Sequence, residues 1–121
     1  MSTVIPLPWT NPPISGNRTR GNPFARANEV ATAKAQAQVA IRAAKPKPMT
    51  SATVTLSLRV KDRRRRDADN LAPTLKVVQD ALVLEGVLPD DSWVCVPSAT
   101  CRIHPPTSEG PAMWVTLEEV A

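Results

Sequence analysis

Residues 52–60 (ATVTLSLRV) alternate without a break. Val54, Leu56, Leu58 and Val60 fall on one side; Thr53, Thr55, Ser57 and Arg59 fall on the other. This two-residue period predicts a strand with one buried face. The same period returns at 112–119, where Met113, Val115 and Leu117 alternate with Trp114, Thr116 and Glu118. Residues 71–85 change period. Leu71, Leu75, Val78 and Leu82 are spaced i, i+4, i+7 and i+11, which lines one face of a helix. Pro73 fits such a helix only in its first turn, and Gly86 is a natural stop. Residues 26–44 are rich in the helix formers Ala, Gln and Lys, with a weaker apolar stripe at Val30, Ala33, Ala37, Ala40 and Ile41. Pro46 and Pro48 end it.

The remaining segments are less regular. Residues 3–9 (TVIPLPW) predict an edge strand, because Pro6 and Pro8 cannot donate to ladders on both sides. Residues 10–24 are loop, rich in Pro, Asn and Gly. Leu88-Pro89-Asp90-Asp91 reads as a turn, and 92–103 as a further strand. With no internal repeat and no dividing linker, the 121 residues predict a single α+β domain, a mixed β-sheet flanked by two helices.

Charge changes the picture more than composition does. Residues 1–66 hold 13 Lys/Arg against 2 acids, whereas 67–121 hold 2 Lys/Arg against 9 acids. A basic half joined to an acidic half fits a polyanion-binding surface beside a cation-binding site. The bland alternative is a solvated charged surface. No signal peptide is visible and no apolar run approaches the ~18 residues of a membrane span. The expectation is therefore a soluble, cytoplasmic protein that binds no membrane, with its two cysteines as reduced thiols.

The join between the halves is the candidate site. Lys61–Asp69 reads KDRRRRDAD: Arg63, Arg64, Arg65 and Arg66 run directly into Asp67 and Asp69. Guanidinium groups grip phosphates through a planar fork of donors. Carboxylates bind hard cations such as Mg²⁺. Were the segment extended, Asp67 and Asp69 would share a side, ~7 Å apart. A helix packing back on the sheet would return Asp91 to them, and a divalent cation would relieve the repulsion among the three. Such a cation polarises a phosphodiester and activates water. Asp69 or Asn70 as a helix cap, and Asp90-Asp91 as ordinary turn chemistry, are the structural alternatives. They leave four consecutive arginines unexplained. Lys76 lies off the apolar face, able to pair with Asp80 at i+4 or to offset charge on a leaving oxygen; the residues alone favour the structural role. Cys95, Cys101 and His104 lack a CxxC pair and a fourth ligand, which argues against zinc. Cys95 is expected as a core thiol within the 92–103 strand. A single His leaves Ser/His or Cys/His catalysis little support.

DRRRRDADN, followed by Leu71, a helix, QDAL and then PDD, resembles the RusA-type Holliday junction resolvases. The N-terminal PLPW, then PP with Ser15, Asn17 and Arg18, is similar to the family's opening. The resemblance implies a homodimeric, Mg²⁺-dependent endonuclease, with Mn²⁺ as a substitute, that cuts branched DNA at four-way junctions by paired nicks. It implies Asp67, Asp69 and Asp91 as metal-binding catalytic carboxylates. It implies Lys76 as a catalytic lysine if Ala72-Pro73-Thr74 is an insertion at the helix start. Arg63 to Arg66, Arg18 and Asn17 would contact DNA. The aromatic-rich loop that follows the family's N-terminal Asn-Arg is absent here. The alternative from a different class is a non-catalytic branched-DNA-binding protein whose acids only balance the arginines; a third is a basic patch that docks an acidic protein.

Overall fold

The computed structural model describes residues 2–14 and 23–120. The element order is β1 (Ser2–Leu7), α1 (Pro23–Ala44), β2 (Ala52–Arg59), a 3₁₀ turn (Ala68–Leu71), α2 (Ala72–Leu84), β3 (Ala99–His104) and β4 (Ala112–Glu119). The four strands form one sheet in the order β1-β4-β2-β3. β4 pairs antiparallel with both β1 and β2, and β2 pairs parallel with β3. The fold is α+β with a mixed sheet and two helices, as the alternation and the helical spacing predict.

Register explains the core. Ile5 faces Val115, Val115 faces Leu56, and Met113 faces both Leu7 and Leu58. These side chains share one face of the sheet and are buried. Ala33, Ala37 and Ile41 of α1, with Leu75, Val78 and Leu82 of α2, complete the same core. Each fully buried Leu, Ile or Val contributes about 1.5–3 kcal/mol. The alanine stripe of α1 lets that helix approach closely. The opposite face carries Thr53, Thr55, Thr116 and Arg59, partly exposed. Ser57 is buried there because register sets it beside Trp114, over whose ring the Arg59 guanidinium stands at 5.5 Å.

β1 lies at the sheet edge, where Pro6 costs no ladder bond on its outer side. Pro23 opens α1, a position that tolerates its missing N–H. Gly86 closes α2 with φ +76°. Its N–H donates to the Val83 carbonyl (3.0 Å) and the Val87 N–H to that of Leu82 (2.9 Å), the paired bonds of a glycine-stopped helix. The Thr74 hydroxyl donates to the Ile14 carbonyl at 2.9 Å, so the Ala72-Pro73-Thr74 segment anchors the N-terminal loop to α2.

One expectation fails. Residues 92–98 are not strand; β3 begins only at Ala99. The Ser92 carbonyl accepts from the N–H groups of Cys95 (3.0 Å) and Val96 (2.8 Å), closing a helix-like turn, and Pro97 has no N–H for a ladder. Cys95 is a buried free thiol, as expected, but it sits in that turn. The apolar run there reflects two residues planted in the core, not a strand face.

Candidate active site

β2 and β3 run parallel, so Arg59 and His104 lie side by side at the same end of the sheet. The arginine run leaves from that end as a loop, and it is braced from within. The Asp62 carboxylate accepts from the Arg64 N–H (3.1 Å), from Arg64 Nη2 (2.8 Å) and from Arg66 Nη2 (3.0 Å). Arg66 Nη1 donates to the carbonyls of Asp62 (2.8 Å) and Arg64 (3.0 Å). These bonds hold the Asp62 carboxyl well below the usual carboxylate range, with the Arg64 side-chain bond as the largest cause. Arg66 is thereby half-buried and fixed, while Arg63 and Arg65 stay exposed. An open hollow of 180 Å³ lies against this loop, lined by Arg63, Arg64, Arg66, Asp62 and His104.

The chain then changes conformation at Asp67. Asp67 is extended (φ −109°, ψ 134°), but Asp69 already belongs to the 3₁₀ turn. The same-side argument for an extended segment therefore stops at Asp67. Neither Asp69 nor Asn70 is the cap of α2, whose N-cap is Leu71 without a side-chain bond, and the Asp67 side chain does not cap the 3₁₀ turn, which closes through the Asn70 N–H to the Asp67 carbonyl at 3.1 Å. Both aspartates are exposed, and their carboxylates make no hydrogen bond or ion pair among the described residues. Asp69 lies close enough to β3 for its charge to add to burial in raising the Cys101 thiol.

Two turns after Asp69, on the solvent face of α2, Lys76 Nζ donates to Asp80 Oδ1 (2.8 Å) and to Asp91 Oδ2 (2.6 Å). Both carboxylates raise the lysine above its ordinary value, Asp80 the more strongly, and Lys76 in turn lowers Asp91. The Asp91 N–H donates to Asp90 Oδ1 at 2.8 Å, the turn chemistry expected of that pair. Lys76 thus makes the structural pair with Asp80 and also reaches Asp91, the acid that follows the helix.

The structure brings Lys76 and Asp91 together. It does not gather Asp67, Asp69 and Asp91 into one cluster: among the described residues, no group of three His, Cys, Asp or Glu side chains is placed to hold a metal ion. The expectation of a three-carboxylate pocket in the single chain is not met in this conformation. Asn17 and Arg18 lie outside the described residues. Asp62 escaped the sequence reading as a brace, although an acid two and four residues before arginines is a readable signal.

A sequence model of the family described as Endodeoxyribonuclease RusA matches residues 10–118, nearly the whole chain. The chain belongs to the RusA endodeoxyribonuclease family. The matched span includes the arginine loop, the aspartates, Lys76 and the Asp90-Asp91 turn. Comparison with curated proteins returned no match. Membership in RusA implies a Holliday-junction-resolving endonuclease. No helix among the described residues is long and apolar enough to cross a membrane.

Proposed function

We propose that this RusA-family chain resolves four-way DNA junctions by paired symmetric nicks, with Mg²⁺ as its cofactor and Mn²⁺ as a substitute. The observation that carries the reading is the juxtaposition within one family-matched segment of a braced arginine loop, two aspartates unpaired among the described residues, and a lysine clamped on Asp91. Arg63 and Arg65 are available to phosphates, and Arg66 holds the loop in the shape that presents them. Asn17 and Arg18 are proposed as further DNA-contacting residues.

Asp67, Asp69 and Asp91 are the proposed metal ligands. Their chemistry fits a hard divalent cation, and the exposed carboxylates of Asp67 and Asp69 have no competing partner among the described residues. Bound there, the ion supplies Lewis acidity toward the phosphodiester. The raised Lys76 keeps its proton at neutral pH. It therefore acts as a cation and proton holder, offsetting charge on the leaving oxygen, and does not serve as a general base. A C₂ homodimer would offer two such sites to a two-fold symmetric junction. A single endonuclease domain spanning 1–121 is part of the same proposal.

The test is incubation with a synthetic four-way junction, a replication fork and a linear duplex, with and without Mg²⁺. The expected result is paired, symmetric, religatable nicks in the junction only when the ion is present. A wild type that binds junctions and never cuts under any divalent ion would instead make the chain a non-catalytic binder.

A further inference from the structure

Trp93 is 80% exposed, two residues beyond Asp91, and its neighbour Val94 is 62% exposed. The other two tryptophans are accounted for. Trp9 is buried with its Nε1–H donated to Gln36 Oε1 at 2.9 Å, and Trp114 packs between His104 and the Arg59 guanidinium. The exposure of Trp93 is built into the backbone. The turn closed on the Ser92 carbonyl places Cys95 and Val96 in the core, which forces Trp93 and Val94 to the solvent side. Asp91 on one side of Trp93 is tied to α2 through Lys76, and Cys95 on the other side is tied to β2, its carbonyl accepting from the Ala52 N–H at 2.8 Å. The indole thus stands on a fixed platform two residues from Asp91, one of the proposed metal ligands.

We infer that Trp93 stacks on a nucleobase left unpaired at the branch point of the DNA. An indole offers a large rigid π-face that accepts any base, and a branch point is where duplex stacking is interrupted. A residue two positions from Asp91 meets the strand close to where it would be cut. The inference rests on the branched-DNA reading above and deepens it: the phosphates are gripped by arginines, and the open centre is held by Trp93.

The experiment measures binding in chelator, where no cutting occurs, of a four-way junction and of a duplex of equal length. Wild type, Trp93→Ala and Trp93→Phe are compared. Trp93→Ala is expected to weaken junction binding roughly tenfold while leaving duplex binding unchanged. Trp93→Phe restores most of the difference. Junction DNA should quench the indole emission of the wild type more strongly than that of Trp93→Phe, which keeps Trp9 and Trp114. Junction affinity unchanged in Trp93→Ala would overturn the inference while the endonuclease reading stands. So would conversion of a dimer to a monomer by light scattering, which would assign the indole to a contact between two copies of the chain. A wild type that binds junction and duplex equally would remove the branched-DNA reading itself, and this inference with it.

Discussion

Two charged clusters lie on either side of the 3₁₀ turn, and they are built with opposite polarity. In the loop before it, one carboxylate, Asp62, gathers two guanidiniums. On α2, one ammonium, Lys76, gathers two carboxylates. The first cluster keeps a surplus of positive charge in Arg63 and Arg65; the second keeps a surplus of negative charge, increased by Asp90. Neither pairing is a large source of stability, since exposed ion pairs contribute little. Their value is positional. A minority charge in each cluster fixes the long side chains of the majority, or fixes the chain that carries them, and leaves a net charge suited to one ligand: phosphate for the first, a cation for the second.

The comparison breaks most visibly at the turn that joins the two clusters, which carries Asp69. Asp69→Asn should abolish Mg²⁺-dependent cutting, by about 1000-fold or more, because a bound cation supplies several kcal/mol to the barrier. Binding of the junction should survive, measured by gel shift in chelator. Equal loss of binding and cutting would mean that Asp69 shapes the loop and holds no ion.

Lys76→Met comes next, with cutting reduced about 100-fold at nearly unchanged junction affinity. Its pH dependence sharpens the point. Asp91 is lowered, so its contribution to the pair is complete above the ordinary carboxylate range and is lost as pH falls through the lowered value. Lys76 is raised, so its contribution is complete below the ordinary lysine value and is lost as pH rises through the raised one. The pair is intact across the neutral range. The rate profile of the wild type should therefore show no lysine limb between about pH 6 and 9; a limb there that disappears in Lys76→Met would contradict the assignment.

At the basic cluster the effects are smaller and of another kind. Arg63→Ala and Arg65→Ala should each lower the slope of log affinity against log salt by about 0.9, the signature of one lost phosphate contact. Arg66→Lys should reduce affinity without a comparable change in slope, because its loss is the fixed fork that braces the loop. A full phosphate-contact slope change at Arg66 would make it a direct contact instead.

The smallest effect tests the link between helix and site. Gly86→Ala meets no atom within 4 Å, so only its φ of +76° opposes the change. The cost should be about 1 kcal/mol by chemical denaturation. Cutting should fall slightly with it, because Gly86 turns the chain back toward Lys76.

The sequence made the sheet legible where one face is buried and the other is not. Val54 to Val60 and Met113 to Leu117 announce their faces, and Leu71, Leu75, Val78 and Leu82 announce theirs. Residues 92–98 misled because Trp93, Val94, Cys95 and Val96 form an apolar run without a period, and such a run does not distinguish a strand from a tight turn with two residues buried. The arginine loop and its aspartates were legible as chemistry. Their geometry was not: the 3₁₀ turn at Asp69 and the 15-residue separation bridged between Lys76 and Asp91 depend on packing that no local pattern encodes. Asp62 was hidden by its surroundings, one acid in a stretch that reads as a block of positive charge.

Asp67, Asp69 and Asp91 are proposed to share one divalent ion. Anomalous scattering from crystals grown with Mn²⁺ and junction DNA tests this directly. The expected result is a manganese peak bounded by these three carboxylates, with Arg63 or Arg65 on a neighbouring phosphate. Manganese elsewhere, or absent with Asp91 still held by Lys76 and apart from the other two, would contradict it.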